Sequence, residues 1–254
     1  MTHIKKIVFF ALILVFLLSF QSIWAGGQKE GVLINGMDAD FPPFSYMEEG
    51  KPVGFDVDAV EWIANEMGFE VESQPIAWDG IIEALRSGKI DMIASGMGIT
   101  EERKELVNFT IPYWQINQAV AVQADSDLNL ASVFDNQHKI GSQRGCTGAM
   151  WVEDNMVKKG VIDADKLVLY EGFSLAVQDL LNGRVDAAIM DDVMVEFAIE
   201  GKPLKIVGTI ATDEIYGYAV RKEDSELLEK LNEGLKRLMA DPYWEELKAK
   251  YFSE

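Results

Sequence analysis

The sequence contains very few of the side chains that form disulfides and transition-metal sites. Cysteine occurs once, at Cys146, and histidine only twice among 254 residues. A single cysteine cannot form an internal disulfide. One histidine, His138, remains beyond the N-terminal 25 residues, which does not suit a zinc site of the usual histidine or cysteine kind. We therefore expect no metal and no cofactor.

Basic residues are also scarce. The chain has 23 Lys and Arg residues against 42 Asp and Glu residues, which gives a formal charge of −19. An acidic chain of this kind repels nucleic acid and anionic membranes, so neither is expected as a partner. The same charge favours solubility and the attraction of cations.

Long apolar runs are absent except at the N terminus. Residues 7–18 form one apolar run behind Lys5 and Lys6, and this run is too short to span a bilayer. Together with the small residue Ala25, it predicts a secretory signal peptide over residues 1–25. Residue 26 is glycine, so the cysteine of a lipoprotein is missing. We expect a periplasmic or secreted protein that is soluble after cleavage.

Two stretches of the chain share one pattern. Residues 85–103 predict the end of a helix, a turn at Gly88, a buried strand over residues 90–95 and then a glycine-rich turn. Residues 180–191 repeat the helix, glycine, basic residue and strand, and end in Asp191. Ligands of open α/β sheets lie beyond the carboxyl ends of the strands. Two such units therefore predict two α/β lobes that face one cleft.

The first glycine-rich turn has the features of a carboxylate site. Gly96 and Gly98 would let backbone N–H groups approach a ligand, and Thr100 is a predicted N-cap. Arg103 lies in the first turn of the next helix, where its guanidinium can bind a carboxylate with two hydrogen bonds. A solvated surface arginine fits the same spacing. With Asp191 supplying a carboxylate from the second unit, the cleft would suit a zwitterion.

Further site candidates also follow predicted strands. Asp38, Phe41 and Trp78 lie just past strand ends and so at the edge of the cleft. Asp38 is either a ligand contact or a hydrogen-bonding loop residue, and Trp78 is either an aromatic wall or plain core. Thr147 adds a hydroxyl at another predicted helix N-terminus. The turn before Thr147 lacks the lysine of a phosphate-binding P-loop.

Six motifs occur in the order of a known family. The sequence resembles the bacterial extracellular solute-binding proteins of family 3, the amino-acid receptors of ABC importers, in the motifs Asp38-Ala-Asp-Phe-Pro-Pro-Phe, Gly54-Phe-Asp-Val-Asp, Gly88-Lys-Ile-Asp, Ile99-Thr-Glu-Glu-Arg, Gly145-Cys-Thr-Gly and Gly183-Arg-Val-Asp-Ala. The resemblance implies an α/β periplasmic-binding-protein fold of type II, with two lobes, two hinge strands and the ligand in the interlobe cleft. The expected bounds are residues 26–117 and 214–254 for lobe 1 and residues 118–213 for lobe 2.

The resemblance also implies how the ligand backbone is held. Arg103 corresponds to the family's carboxylate-binding arginine, and Gly98 and Thr147 correspond to its backbone donors. Asp191 and the carbonyl of Gly96 correspond to the partners of the α-ammonium group. Gly98 occupies a position where the family often has serine or threonine, so one hydroxyl contact is missing.

The ligand side chain is less well specified by the resemblance. Phe41 and Trp78 correspond to the aromatic walls, and Asp38 corresponds to the residue that selects the side chain. Gln143 and Met190 occupy positions that vary with the ligand, so side-chain specificity does not transfer.

The expected function is the capture of a polar amino acid. A guanidinium can lie between Phe41 and Trp78 and pair with Asp38, which favours a cationic ligand such as arginine, lysine or histidine. A neutral, glutamine-like ligand is the alternative. We expect a monomer that delivers this ligand to an ABC transporter permease, and a ligand-sensing module for a receptor fits the sequence equally well.

An enzymatic alternative uses the same scaffold. Dehydratases acting on prephenate- or arogenate-like acids are similar to this sequence and share Trp78. Their general acid is a glutamic acid three residues after the position of Asp191, where this chain has Met194, which has no proton to donate. Glu196 lies two places further on, and nothing in the sequence brings Cys146 and His138 together. We therefore expect no enzymatic activity.

Overall fold

The computed structural model describes residues 31–252. The predicted signal peptide, residues 1–25, lies outside the described residues, as do residues 26–30 and 253–254. Within residues 31–252, no helix combines the length and apolar character needed to cross a membrane.

Strands and helices alternate along most of the described chain. The strands are β1 Val32–Met37, β2 Asp40–Phe41, β3 Ser45–Glu48, β4 Lys51–Val53, β5 Glu70–Pro75, β6 Met92–Ile93, β7 Asn108–Phe109, β8 Trp114–Gln123, β9 Ile140–Gln143, β10 Leu167–Tyr170, β11 Ala187–Asp191, β12 Leu204–Tyr216 and β13 Ala219–Val220. The helices are α1 Phe55–Met67, α2 Ile81–Arg86, α3 Glu101–Leu106, α4 Leu130–Val133, α5 Thr147–Val152, α6 Phe173–Leu181, α7 Asp192–Ile199, α8 Ser225–Ala240 and α9 Pro242–Phe252.

The strands form two larger sheets and one small sheet. The first sheet has the order β5-β1-β6-β13-β7, and the second has the order β10-β9-β11-β8-β12. In the first, β1 and β6 are parallel while β13 is antiparallel to both of its neighbours. In the second, β10, β9 and β11 are parallel, and β8 is antiparallel to β11 and β12. The expected mixed α/β architecture is confirmed.

Two long strands connect the sheets. β8 leads into the second sheet, and β12 pairs with it in antiparallel register from Leu204↔Gln123 to Tyr216↔Trp114. The chain then returns to the first sheet at β13. Sequence patterning predicts residues 119–122 and 205–208 of these strands as extended, and a separate strand over residues 216–220 that begins at the last residue of β12. Pairing between the two strands extends them well beyond those short stretches.

An aromatic cluster packs the C-terminal helix, α9, against α1 and the start of β8. Phe55 packs edge-on against Trp244 with ring centroids 5.0 Å apart, and Trp114 stacks on Phe252 at 4.4 Å. Phe44, which is fully buried, contacts Phe55 and Trp114 as well. Such rings bury large apolar areas, so their contacts hold α1, the start of β8 and α9 together.

Several predicted elements agree closely with the structure, and two do not. Sequence patterning predicts a helix that is stopped by Gly68 and a strand over residues 70–75. In the structure, α1 ends at Gly68, which has a left-handed φ of 73°, and β5 is Glu70–Pro75. The strand predicted over residues 90–95 is only Met92–Ile93, because the Ala94 N–H donates to the Asn35 side chain (2.7 Å) and leaves the ladder. Sequence patterning also predicts one helix that reaches residue 159. In the structure, α5 ends at Val152, and a short π-helix, Glu153–Val157, follows it.

The contact between α1 and α8 leads to a stability prediction. A Cβ added at Gly234 would overlap Ile63 Cγ2 and lie 3.3 Å from Ile63 Cβ. Gly234→Ala should therefore lower the free energy of unfolding by about 1–2 kcal/mol, since overpacking outweighs the gain of about 1 kcal/mol in helix propensity. Urea unfolding followed by circular dichroism measures this. Gly80→Ala is the matched control, because a Cβ there meets nothing within 4 Å. A Gly234→Ala variant as stable as wild type would contradict the packing described.

Candidate functional site

The parallel pairing of β1 with β6 brings two predicted site segments to one sheet edge. Gly36 is in register with Ile93, so Asp38 and Gly96 both lie just beyond the strand ends. The Asp38 N–H donates to Ser95 Oγ (2.9 Å), which ties the two loops together. Local strand geometry thus places Asp38 beside the glycine-rich turn.

A hydrogen bond to the buried carboxylate of Asp56 fixes the conformation of Gly96. Gly96 has a left-handed φ of 56°, and its N–H donates to Asp56 Oδ2 at 2.6 Å. The same oxygen accepts from the Tyr113 hydroxyl (2.7 Å). A Cβ at Gly96 would overlap the ring of Phe41, so only glycine allows this approach. Complete burial raises the pKa of Asp56 to about 7.

Arg103 is a buried charge at the start of helix α3. Thr100 Oγ1 accepts from the Arg103 N–H (3.1 Å), which confirms the predicted N-cap. The guanidinium donates from Nη1 to the Gly98 carbonyl and from Nη2 to the Gly145 carbonyl, both at 2.8 Å. With Arg103 only 5% exposed, the alternative of a solvated surface arginine is wrong. Burial lowers the pKa of its guanidinium.

Trp78 lies against this arginine. Its indole Nε1 donates to the Gly145 carbonyl (3.1 Å), and the Arg103 guanidinium lies 5.5 Å from the ring centroid. The ring is half-buried. A cleft of about 420 Å³ opens beside it, with Trp78, Arg103, Gly145 and Met150 among its lining residues. Trp78 therefore shields one face of the guanidinium from solvent.

Asp191 is the centre of a second polar cluster. It ends β11, is 4% exposed, and accepts at Oδ1 from Gln118 Nε2 (2.6 Å) and from the Thr147 hydroxyl (3.4 Å). Oδ2 accepts from the Tyr216 hydroxyl. Burial raises the pKa of Asp191 to about 6, and the negative charge of Glu214 acts in the same direction.

The two clusters meet at Gly98. A Cβ built on Gly98 would lie 3.1 Å from Thr147 Cγ2 and 3.4 Å from Arg103 Nη1. The start of helix α5 and the first glycine-rich turn are therefore in contact. The structure brings Gly98, Arg103, Thr147 and Asp191 into one neighbourhood, as the repeated sequence pattern suggested.

Asp38 and Phe41 form the neighbouring part of the site. Asp38 Oδ2 accepts from Gln143 Nε2 (2.6 Å), and Oδ1 accepts from the Asp40 N–H (3.0 Å), which is the loop contact considered from sequence. Burial raises the pKa of the Asp38 carboxyl. Phe41 is buried and stacks on Phe44 with centroids 5.8 Å apart.

Four residues of the site are not singled out by sequence reasoning. Asp56 belongs to the motif Gly54-Phe-Asp-Val-Asp, which was a usable signal. Gln118 is the register partner of Asp191 in the pairing of β8 with β11, and Glu214 and Tyr216 approach Asp191 from β12, which pairs with β8. No local sequence pattern marks such residues.

The comparisons with known proteins agree with this architecture. The family described as bacterial extracellular solute-binding proteins, family 3, matches residues 33–254. The chain is 35% identical to the L-arginine-binding protein of Pseudomonas aeruginosa over 228 residues, which covers 86% of each chain. It is 31% identical to ABC transporter arginine-binding protein 1 of Escherichia coli over 226 residues, covering 86% of this chain and 90% of that protein.

A solved structure of an arginine-binding protein is also similar to this chain. The structure described as an ancestral arginine-binding protein bound to arginine has a TM-score of 0.82 and 39% sequence identity, and the match covers 88% of this chain and 99% of the other. Its fold is the two-lobe, type II arrangement expected from the sequence. The family match covers most of the sequence, and it agrees with the fold of two α/β sheets. The chain belongs to the bacterial extracellular solute-binding proteins, family 3.

Proposed function

We propose that the protein captures an amino acid with a polar, cationic side chain between its two sheets and delivers it to an ABC importer. The observation that carries the proposal is the pair of opposite buried charges, Arg103 and Asp191, in one cluster. Arg103 follows the first sheet's glycine-rich turn, and Asp191 ends a strand of the second sheet. A free amino acid carries the complementary charges on adjacent groups.

The donors at Arg103 suit the α-carboxylate of such a ligand. A guanidinium has five N–H donors in a planar fork, and two of its nitrogens each donate to a backbone carbonyl here. The remaining donors are available for a carboxylate, and the start of helix α5 at Thr147 contributes backbone N–H groups. In a buried setting these hydrogen bonds are stronger than in water.

Asp38 supports the choice of a cationic side chain. Its carboxylate is buried beside Phe41, and its pKa is raised by that burial, so a cation bound there would relieve the desolvation cost. The relatives and the solved structure compared above are named for arginine. L-Arginine is therefore the proposed ligand, with lysine or histidine as chemically related candidates and glutamine as the neutral one.

The transport partner and the bounds of the two lobes are also part of the proposal. The protein would act as a periplasmic monomer and pass its ligand to the permease of an ABC transporter. The Escherichia coli relative is named an ABC transporter arginine-binding protein, which supports the transporter as the partner. Lobe 1 would comprise residues 26–117 and 214–254, and lobe 2 residues 118–213. The return of the chain to the first sheet at β13 supports these bounds.

The residues around the site do not favour the dehydratase alternative. Met194, at the position of the general acid, is buried, and the nearby Glu196 is exposed on helix α7. Burial raises the pKa of the Cys146 thiol to about 11, which leaves little thiolate for nucleophilic catalysis. A binding role, without chemistry on the ligand, is therefore the proposal.

Calorimetric titration with L-arginine tests the function directly. Wild type should bind L-arginine but not Nα-acetyl-L-argininamide, which lacks both backbone charges. Arg103→Ala should weaken L-arginine binding by about 2–5 kcal/mol, because it leaves a buried carboxylate without its partner. Arg86→Ala is the matched control, since Arg86 pairs only with Glu83 on the surface of its own helix. Equal affinity for the blocked and free amino acid would overturn the proposal.

Asp38→Asn tests the side-chain selector. The substitution keeps the shape and removes the charge, so binding of L-arginine should weaken by about 1–3 kcal/mol. Binding of L-glutamine, where it is measurable, should change by less than about 0.5 kcal/mol, because an asparagine can still hydrogen-bond a neutral amide. The exposed Asp125→Asn variant controls for the change in net charge. A similar loss for both ligands would mean that Asp38 only shapes its loop.

The raised pKa of Asp191 predicts a pH dependence of binding. An α-ammonium group favours the ionised carboxylate, so binding of L-arginine at low pH requires Asp191 to release a proton. With a pKa of about 6 in the free protein, the affinity should be constant above pH 7 and about tenfold lower at pH 5. The charged groups around this carboxyl are Arg103 and Glu214, and the neutral Tyr216 hydroxyl donates a hydrogen bond to it. Titrations across this range should show a steeper decline in wild type than in Asp191→Asn, in which Asp38, with its raised pKa, still has to ionise. An unchanged wild-type affinity at pH 5 would exclude the contact.

A further inference from the structure

Strand β12 contains an irregularity just before it returns to the first sheet. Its register with β8 shifts between Ile210 and Glu214, and Asp213 has a left-handed φ of 50°. The N–H groups of Thr212 and Asp213 donate to Asn117 Oδ1 at 3.1 and 3.3 Å, which anchors the bulge. Bulges redirect the side chains that follow them. The residue directly after this bulge is Glu214.

Glu214 reaches the polar cluster around Asp191. Its Oε1 accepts from Gln118 Nε2 at 3.2 Å, and the same nitrogen donates to Asp191 Oδ1 at 2.6 Å. One amide group therefore lies between two carboxylates. The two negative charges lie near a single buried guanidinium, Arg103. The cluster has an excess of negative charge that a cation would balance.

The second oxygen of Glu214 is the distinctive feature. Oε2 is buried, and it has no hydrogen-bond partner within residues 31–252. A buried carboxylate oxygen without a donor is costly, and in native proteins such an atom usually has a role. Asp191, by comparison, accepts hydrogen bonds at both oxygens. Of these two carboxylates, Glu214 is the one with an oxygen that accepts no hydrogen bond.

This oxygen faces the turn where a side chain is missing. A Cβ built on Gly98 would lie 3.6 Å from Glu214 Oε2. The family resemblance implies a serine or threonine hydroxyl at this position, which Gly98 lacks. Because Gly98 has no side chain of its own, Glu214 Oε2 approaches this turn together with Thr147 Cγ2 and Arg103 Nη1. An α-ammonium group has three N–H donors, and Asp191 and the Gly96 carbonyl would account for two of them.

We propose that Glu214 is a second binding residue for the α-ammonium group, acting beside Asp191 in place of the missing hydroxyl at Gly98. The inference rests on the proposed function, since it concerns the same ligand. It makes binding more dependent on the ammonium charge than a single carboxylate would. It also gives the hinge strand β12 a direct contact with the ligand.

The test compares two ligands that differ only in the α-amino group. L-Arginine and 5-guanidinopentanoate are titrated by calorimetry into wild type and Glu214→Gln, with competition against L-arginine for the weaker ligand. Glu214→Gln should lower the affinity for L-arginine at least about tenfold and change that for 5-guanidinopentanoate by less than about twofold. Without ligand, the variant should unfold at the same temperature as wild type or higher, because a buried carboxylate oxygen without a donor is replaced.

Asp213→Asn provides the matched control on the same strand. Asp213 is exposed, and its carboxylate contacts Gln115, so L-arginine affinity should be unchanged. An equal loss for both ligands in Glu214→Gln would assign Glu214 to the shape of the hinge and overturn the inference. Unchanged binding of L-arginine in Glu214→Gln would also overturn it. Failure of wild type to bind any free amino acid would instead overturn the proposed function.

Discussion

The guanidinium of Arg103 is a permanent charge held inside the protein, and the rest of the site is arranged around it. Two backbone carbonyls, from Gly98 and Gly145, accept its hydrogen bonds, and the Trp78 ring covers one face. Neutral carbonyls compensate only part of the cost of burying a full charge. An anion bound at the remaining donors would recover more of it, which is why the proposed ligand includes a carboxylate.

Backbone geometry makes this arrangement possible. The left-handed Gly96 is fixed by the buried Asp56, and the aromatic ring of Phe41 lies directly against it. Gly98 lets Thr147 and Glu214 approach the same turn. Because these two glycines have no side chains, several other side chains can pack against the turn that follows β6. The hinge strands β8 and β12 then add Gln118 and Tyr216 from a third direction.

The sequence predicts the parts of this structure that are local. The N-cap at Thr100, the glycine that ends α1 and the bounds of β5 follow from patterns of a few residues, and the structure confirms them. The repeat around Gly88 and Gly183 also indicates two α/β units before any contact is known. Its last residues, Arg103 and Asp191, prove to lie in one buried cluster.

Long-range pairing accounts for what the sequence does not predict. Strand β6 is shorter than its apolar run because the Asn35 side chain takes a backbone donor. Strands β8 and β12 are longer because they pair with each other, and Glu214 is aimed by a bulge that a distant asparagine anchors. None of these residues has a local signature. Their roles appear only when the two strands are placed side by side.

The central claim is that one ligand bridges the buried charges of Arg103 and Asp191. A crystal structure of the protein with L-arginine tests it most directly. The account predicts the α-carboxylate within hydrogen-bonding distance of the Arg103 guanidinium and the α-ammonium group at Asp191, with the side chain directed to Asp38. A ligand bound in the reverse orientation, or away from Arg103 and Asp191, would contradict the account.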